Sequence, residues 1–317
     1  MGHKLPKAKL LLVLLLFFAV VGTANIAAAP RYKFVLLANV TADPFWVAVK
    51  SGMNFAAKML DVDATFTGPQ EWNTRAQREM MDTLAESSDY NGIAVITFEP
   101  IFDEPIKRAL ARGIPVVAFN NDQPGSPRMA FMGQGEYEAG VAVGATLKKL
   151  IPKGSRIFIG IHTPGQTAIE NRKQGIIDAL KDWNVTADVQ VFAYMKPSEA
   201  MTTMESYYSS HKDVKAMCAL APSSAELMAQ WVVEKGLKGK IVVTSFDLLP
   251  RLLQYIQEGT IAFTIDQQPF MQGFYSVVQL YLYKEFGLAP KDIQTGGAVI
   301  DKSNVNQVVD LVKKGIR

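Results

Sequence analysis

The sequence predicts an α/β fold of two doubly wound, parallel-sheet lobes, and three observations predict it. Apolar runs of three to six residues alternate with amphipathic helical patterns almost to the C-terminus, the pattern of parallel strands covered by helices on both faces. Ten such runs are many for one sheet of this kind, so they divide between two. No low-complexity linker separates two halves, which favours lobes interwoven by several short crossings over two beads on a string.

Strands are expected at residues 34–38, 64–67, 92–97, 116–119, 130–132, 157–161, 189–194, 216–220, 241–246 and 261–265. Helices are expected at 74–87, 102–112, 137–151, 169–181, 199–210, 225–235, 249–258 and 271–286. The stretch 34–60 is the most informative. Its apolar run breaks at a short polar loop, and Pro44 then opens a segment with Phe45, Val49, Met53, Ala56 and Leu60 at helical spacing. This is a buried strand feeding a helix, the first half of a βαβ unit. Ligands of open parallel sheets bind beyond the carboxyl ends of strands, where Asp43, Phe45 and Trp46 fall. Two aromatics beside a carboxylate suit a sugar ring, which has apolar faces and a hydroxyl rim.

Residues 1–29 are expected to be a cleaved signal peptide. Lys4, Lys7 and Lys9 precede an apolar run from Leu10 to Val21, and small residues follow. The chain has 33 basic and 30 acidic residues, and the leader holds three lysines and no acid, leaving 30 against 30. A neutral exported protein has no electrostatic footprint for nucleic acid. Cys218 is the only cysteine, so no intrachain disulfide can form, and its apolar setting marks a buried small hydrophobe.

The remaining strand-end loops are polar. Asn120, Asn121 and Asp122 follow the 116–119 strand, Phe246 and Asp247 close the 241–246 strand, and Gln267 follows the 261–265 strand. Trp72 lies in the loop after 64–67 and His162 in the loop after 157–161. Amides and carboxylates converging beside aromatic rings favour an uncharged, many-hydroxyl ligand. No P-loop, dinucleotide fingerprint or nucleophile elbow follows any strand, and the few histidines and single cysteine form no transition-metal cluster, so no cofactor is expected.

Asp43-Pro44-Phe45-Trp46, Gly133-Gln134-Gly135-Glu136-Tyr137-Glu138-Ala139-Gly140, Phe246-Asp247 and Thr264-Ile265-Asp266-Gln267-Gln268-Pro269 resemble, in order, periplasmic binding proteins of the ribose-binding type. These serve ATP-driven importers and share their fold with lactose-repressor-type effector domains. The resemblance runs from about Lys33 to the C-terminus. It implies two lobes joined by three hinge crossings, residues 31–133 with 268–296 and residues 134–267 with 297–317. It also implies a monomeric periplasmic protein that closes on a sugar or polyol and delivers it to an inner-membrane ABC permease.

By the same resemblance Asp43, Phe45 and Trp46 match ring-stacking and hydroxyl-binding positions, and Phe246, Asp247 and Gln267 match in the second lobe. Asn120 and Asn121 stand where ribose binders commonly show Asp-Arg, with Asp122 following. Arg172, or its neighbours Glu170 and Asn171, matches a helix start that supplies an arginine, and Tyr194 or Met195 falls near an aromatic position. Ala221-Pro222 replaces a usual Asn-Asp pair, which puts ribose itself in doubt. A sensory partner of a membrane chemoreceptor or kinase is the alternative function. Glycosidase chemistry by Asp43, Asp122 or Asp247 is disfavoured, since carboxylates in sugar clefts usually accept hydroxyl bonds.

Overall fold

The first strand shows why two layers of helices are needed. The computed structural model describes residues 31–162, 164–192 and 196–317; the expected leader and Tyr194 lie outside them. Strand β1 (Lys33–Leu37) is buried on both faces, with Phe34 and Leu36 in one apolar cluster and Val35 and Leu37 in another. It belongs with β2 (Asp63–Thr67), β3 (Gly92–Val95), β4 (Val116–Phe119) and β5 (Phe131–Gly133) in one parallel sheet. A second sheet repeats the plan with β6 (Arg156–Ile161), β7 (Thr186–Val191), β8 (Val214–Ala219), β9 (Val242–Phe246) and β10 (Phe263–Asp266). Both halves have the strand order 2-1-3-4-5. Late in the chain β11 (Ile293–Gln294) pairs parallel with β5, and β12 (Ala298–Asp301) antiparallel with β10.

The helices are α1 (Trp46–Leu60), α2 (Thr74–Glu86), α3 (Asp103–Ala111), α4 (Glu136–Leu147), α5 (Thr167–Ala179), α6 (Pro197–Ser210), α7 (Pro222–Glu234), α8 (Pro250–Glu258), α9 (Pro269–Phe286) and α10 (Val305–Lys313). Helices α1 and α9 cover one face of the first sheet, α2 and α3 the other. Helices α4 and α5 cover one face of the second sheet, and α6, α7, α8 and α10 the other. Because α4 packs on the second sheet and α9 on the first, the chain crosses between sheets at residues 134–135, 267–268 and 295–297.

Two helix pairs touch through glycine. A Cβ on Gly140 would lie 2.2 Å from the Arg172 carbonyl oxygen, and one on Gly175 2.1 Å from that of Tyr137, so α4 and α5 meet backbone to backbone. Gly52 and Gly273 bring α1 and α9 together in the same way. Only the missing Cβ permits this approach, and it sets the N-terminal ends of α4 and α5 side by side.

Sequence periodicity misplaced two strands and missed three elements. The strand expected at 189–194 lies at Thr186–Val191, a half-exposed edge strand whose polar alternation hid its start. The one expected at 261–265 is shifted to Phe263–Asp266. The short β11, β12 and the terminal α10 went unread, since each is brief and buries few residues. Cys218 is fully buried with its thiol pushed up to about 12 by burial, as a core residue.

Gly175→Ala should lower unfolding free energy by roughly 1–3 kcal/mol, the usual cost of forcing atoms into a packed contact. Urea unfolding reads this as a lower midpoint at constant slope; an unchanged midpoint contradicts the backbone contact.

Candidate functional site

The order 2-1-3-4-5 reverses direction between the first and third strands of each sheet, the switch point where open α/β sheets bind ligands. Loops leaving those strand ends meet in a cleft of about 900 Å³, part of it open to solvent. Asp43, Phe45, Trp46, Trp72, Asn120 and Asn121 line it from the first sheet. Asp247, Gln267 and the Ala221-Pro222-Ser223 turn line it from the second. An adjoining recess shares Asn120, Asn121, Asp247 and Gln267 and adds Glu136, His162 and Arg172.

Asn120 and Asp247 hold equivalent places, each the first residue beyond the fourth strand of its half. Both adopt left-handed backbone, with φ of 63° and 68°. Their amides donate to the neighbouring strand, Asn120 to Met132 O at 3.0 Å and Asp247 to Ile265 O at 2.8 Å. Asn and Asp tolerate this conformation better than most residues, and the surrounding pairing holds them in it. Each side chain is thereby turned out of the sheet at the cleft floor.

A buried hydrogen-bond series joins the two. Asn121 Nδ2 donates to Asn120 Oδ1 at 2.8 Å, and Asn120 Nδ2 to Gln272 Oε1 at 3.1 Å. Gln272 Nε2 donates to Thr295 Oγ1 at 3.4 Å, and that hydroxyl donates to the Gln267 carbonyl at 2.9 Å. Gln267 Nε2 then donates to Asp247 Oδ1 at 2.6 Å. The series runs through two of the crossings. Gln267 Oε1, Asn39 Oδ1 and Trp46 Nε1 are buried and have no protein partner, and all three residues border the cleft.

Arg172 is the cation of the site. Its Nε and Nη2 donate to Glu136 Oε2 and Oε1 at 2.6 and 2.9 Å, and Nη1 donates to Leu220 O at 2.7 Å. The guanidinium lies 4.2 Å from the centre of the Phe246 ring. Asp247 is raised to about 7, mainly by burial and only partly countered by Arg172 and Gln267. Burial, then Arg172, lowers His162 to about 4, so its imidazole is neutral near pH 7.

On the first-sheet side Asp43 Oδ1 accepts the Phe45 amide at 2.9 Å and secures the entry to α1. Phe45 packs edge-on to Trp46 at 4.9 Å. Trp46 is largely core, packed on Phe66 and Phe119, with only its indole edge toward the cleft. Trp72 is 56% exposed and packs on Phe98 with centroids 5.5 Å apart and the rings tilted by 34°, an open aromatic surface.

Several residues expected at the site are engaged elsewhere. Asp122 is bound by Arg128, with Nε to Oδ1 at 3.1 Å and Nη2 to Oδ2 at 2.5 Å, and it faces a neighbouring groove. Glu170 accepts the Gly165 amide at 2.9 Å and pairs with Lys173. Asn171 is exposed and borders the groove of Asp122, because helical rotation points only Arg172 of that trio inward. Phe246 is fully buried beneath Arg172, so it supports the cation instead of offering a face to a ligand. Glu136 and Asn39 were not anticipated. Asn39 is the first polar residue after β1, a signal available in the sequence, whereas the partner of Glu136 is 36 residues away.

With this geometry in view, comparison with known proteins is direct. The model for the periplasmic binding protein domain matches residues 34–287, and the chain belongs to that family. It is 35% identical over 294 residues to the xylose/arabinose-binding protein of Sulfolobus acidocaldarius, covering 87% of this chain and 72% of that protein. It is 27% identical to the D-allose-binding periplasmic protein of Escherichia coli, covering 76% and 80%. A carbohydrate transporter structure from Acidothermus cellulolyticus, in complex with myo-inositol, superposes with a TM-score of 0.78 at 25% identity, covering 91% of this chain and all of that one.

A carboxyl raised above its unfolded value makes the fold more stable when protonated, so that contribution is full below about 4 and fades as pH rises to about 7. The melting temperature of the free protein should therefore fall between pH 5 and 7.5 more steeply than that of Asp247→Asn. Parallel curves for the two proteins contradict the assignment.

Proposed function

We propose that this chain captures a monosaccharide or similar polyol in the cleft, without covalent change, and delivers it to a membrane ABC permease. The lobes we assign are residues 31–133 with 268–296 and residues 134–267 with 297–317, closing about the three crossings. Export behind a cleaved leader of residues 1–29 and action as a monomer belong to the same reading.

The observation that carries it is the donor and acceptor set on the cleft floor. Asp247 offers carboxylate oxygens, Gln267 Oε1 and Asn39 Oδ1 have no protein donor, and Arg172, the one cation among the described lining residues, is already matched by Glu136. Hydroxyl groups both donate and accept, which is what such a set requires. Phe45 and Trp72 supply apolar surface for the C–H faces of a ring. Relatives named for xylose, arabinose and allose support a neutral polyol. Each hydrogen bond contributes net about 0.5–3 kcal/mol, and several together reach the roughly 8 kcal/mol of micromolar binding. Contacts from both lobes favour the closed form by their differential affinity.

Thermal shift with D-xylose, L-arabinose, D-allose and myo-inositol tests this. One of them should raise the melting temperature of the wild type, and Asp247→Ala should lose that response while keeping its far-UV spectrum. An Asp247→Ala protein that responds as the wild type does rejects the assigned role. Affinity should also increase from pH 5.5 to 8, because the ionised carboxylate is the stronger acceptor. Calorimetry at the two pH values reads it, and a fall in affinity contradicts it.

A further inference from the structure

Arg172 alone would make this recess a site for acidic ligands. A buried guanidinium presents a planar fork that fits a carboxylate or phosphate with two parallel hydrogen bonds. Here the fork is filled from within. Glu136 takes the Nε and Nη2 protons, its side chain 10% exposed against 7% for Arg172. Leu220 O takes an Nη1 proton, and Phe246 covers one face. Of the five guanidinium protons, two remain, one on each terminal nitrogen. Uncharged hydroxyl oxygens can accept them without bringing a second negative charge beside Glu136.

Glu136 is itself held in place. Gln134 Nε2 donates to its Oε2 at 2.8 Å, and its position in the first turn of α4 favours a negative charge. The glycine contacts between α4 and α5 fix the distance between the two partners. Asp247 shares the recess on the acidic side, and His162 there is neutral. An anion entering the recess would meet carboxylates and a cation whose charge is already balanced.

We infer that Glu136 is the positioning residue that sets the charge selectivity of the cleft: by occupying the Arg172 fork it leaves a hydroxyl-binding donor pair and turns away acidic sugars. This rests on the polyol-binding reading above. A purely structural role, a strut between α4 and α5, predicts the same salt bridge but no effect on which ligand charge is accepted.

The test compares ligands of one shape and two charges, D-glucuronate with D-glucuronamide and D-galacturonate with D-galacturonamide, by calorimetry beside the neutral sugars above. The wild type should bind neutral ligands and prefer each amide to its acid. Glu136→Gln keeps the shape and frees the fork, so the ratio of acid to amide affinity should rise by at least about tenfold. Glu136→Asp, which keeps the charge, should retain the preference for the amide. A wild type that takes acid and amide equally overturns the inference whether or not the variant folds. So does a Glu136→Gln protein that binds neutral sugars yet leaves the ratio within about threefold or still refuses both acids. A wild type that binds no neutral sugar or amide at all removes the polyol reading itself, a separate outcome.

Discussion

The hydrogen-bond series from Asn121 to Asp247 is the constraint on which the site depends. It passes through Gln272 on α9, Thr295 in the third crossing and Gln267 in the second, so groups from both sheets share one buried polar chain. Buried polar groups are costly unless paired, and pairing in series makes each orientation depend on the next. Asn120 and Asp247 thus present their side chains in a fixed relation although they belong to different sheets. The second and third crossings between the sheets carry this chain.

The two halves use one plan to different ends. Gln134 and Gln267 follow the fifth strand of each half, and each donates its amide to a carboxylate, Glu136 or Asp247. Paired glycines close a helix pair on each sheet. Where the halves diverge, their chemistry separates. The first supplies aromatic edges and amides; the second supplies the ion pair and Asp247. A buried ion pair contributes little net stability once desolvation is counted, so its presence at the cleft points to selectivity more than to holding the fold.

The architecture was largely legible because buried parallel strands are continuous apolar runs and their helices keep a clean period. Asp43, Asn120, Asn121, Asp247 and Gln267 were legible as polar residues at the mouths of such strands. Side-chain direction was not. Asp122 follows the same strand yet turns to Arg128, and Phe246 sits one residue before Asp247 but points into the core. Alternation along a strand is readable, but the partner waiting on each side is a tertiary fact. Glu136 was hidden for that reason: nothing local in its sequence announces Arg172, and only the glycine contact between α4 and α5 brings them together.

A crystal structure of the protein with the sugar that most raises its melting temperature measures the central claim most directly. The account predicts one intact sugar between the sheets, its hydroxyls within hydrogen-bond distance of Asp247 and Gln267 and its ring against Phe45 or Trp72. A sugar bound outside this cleft, for instance in the apolar groove bordered by Leu248 and Val312, or cleaved within it, would contradict the account.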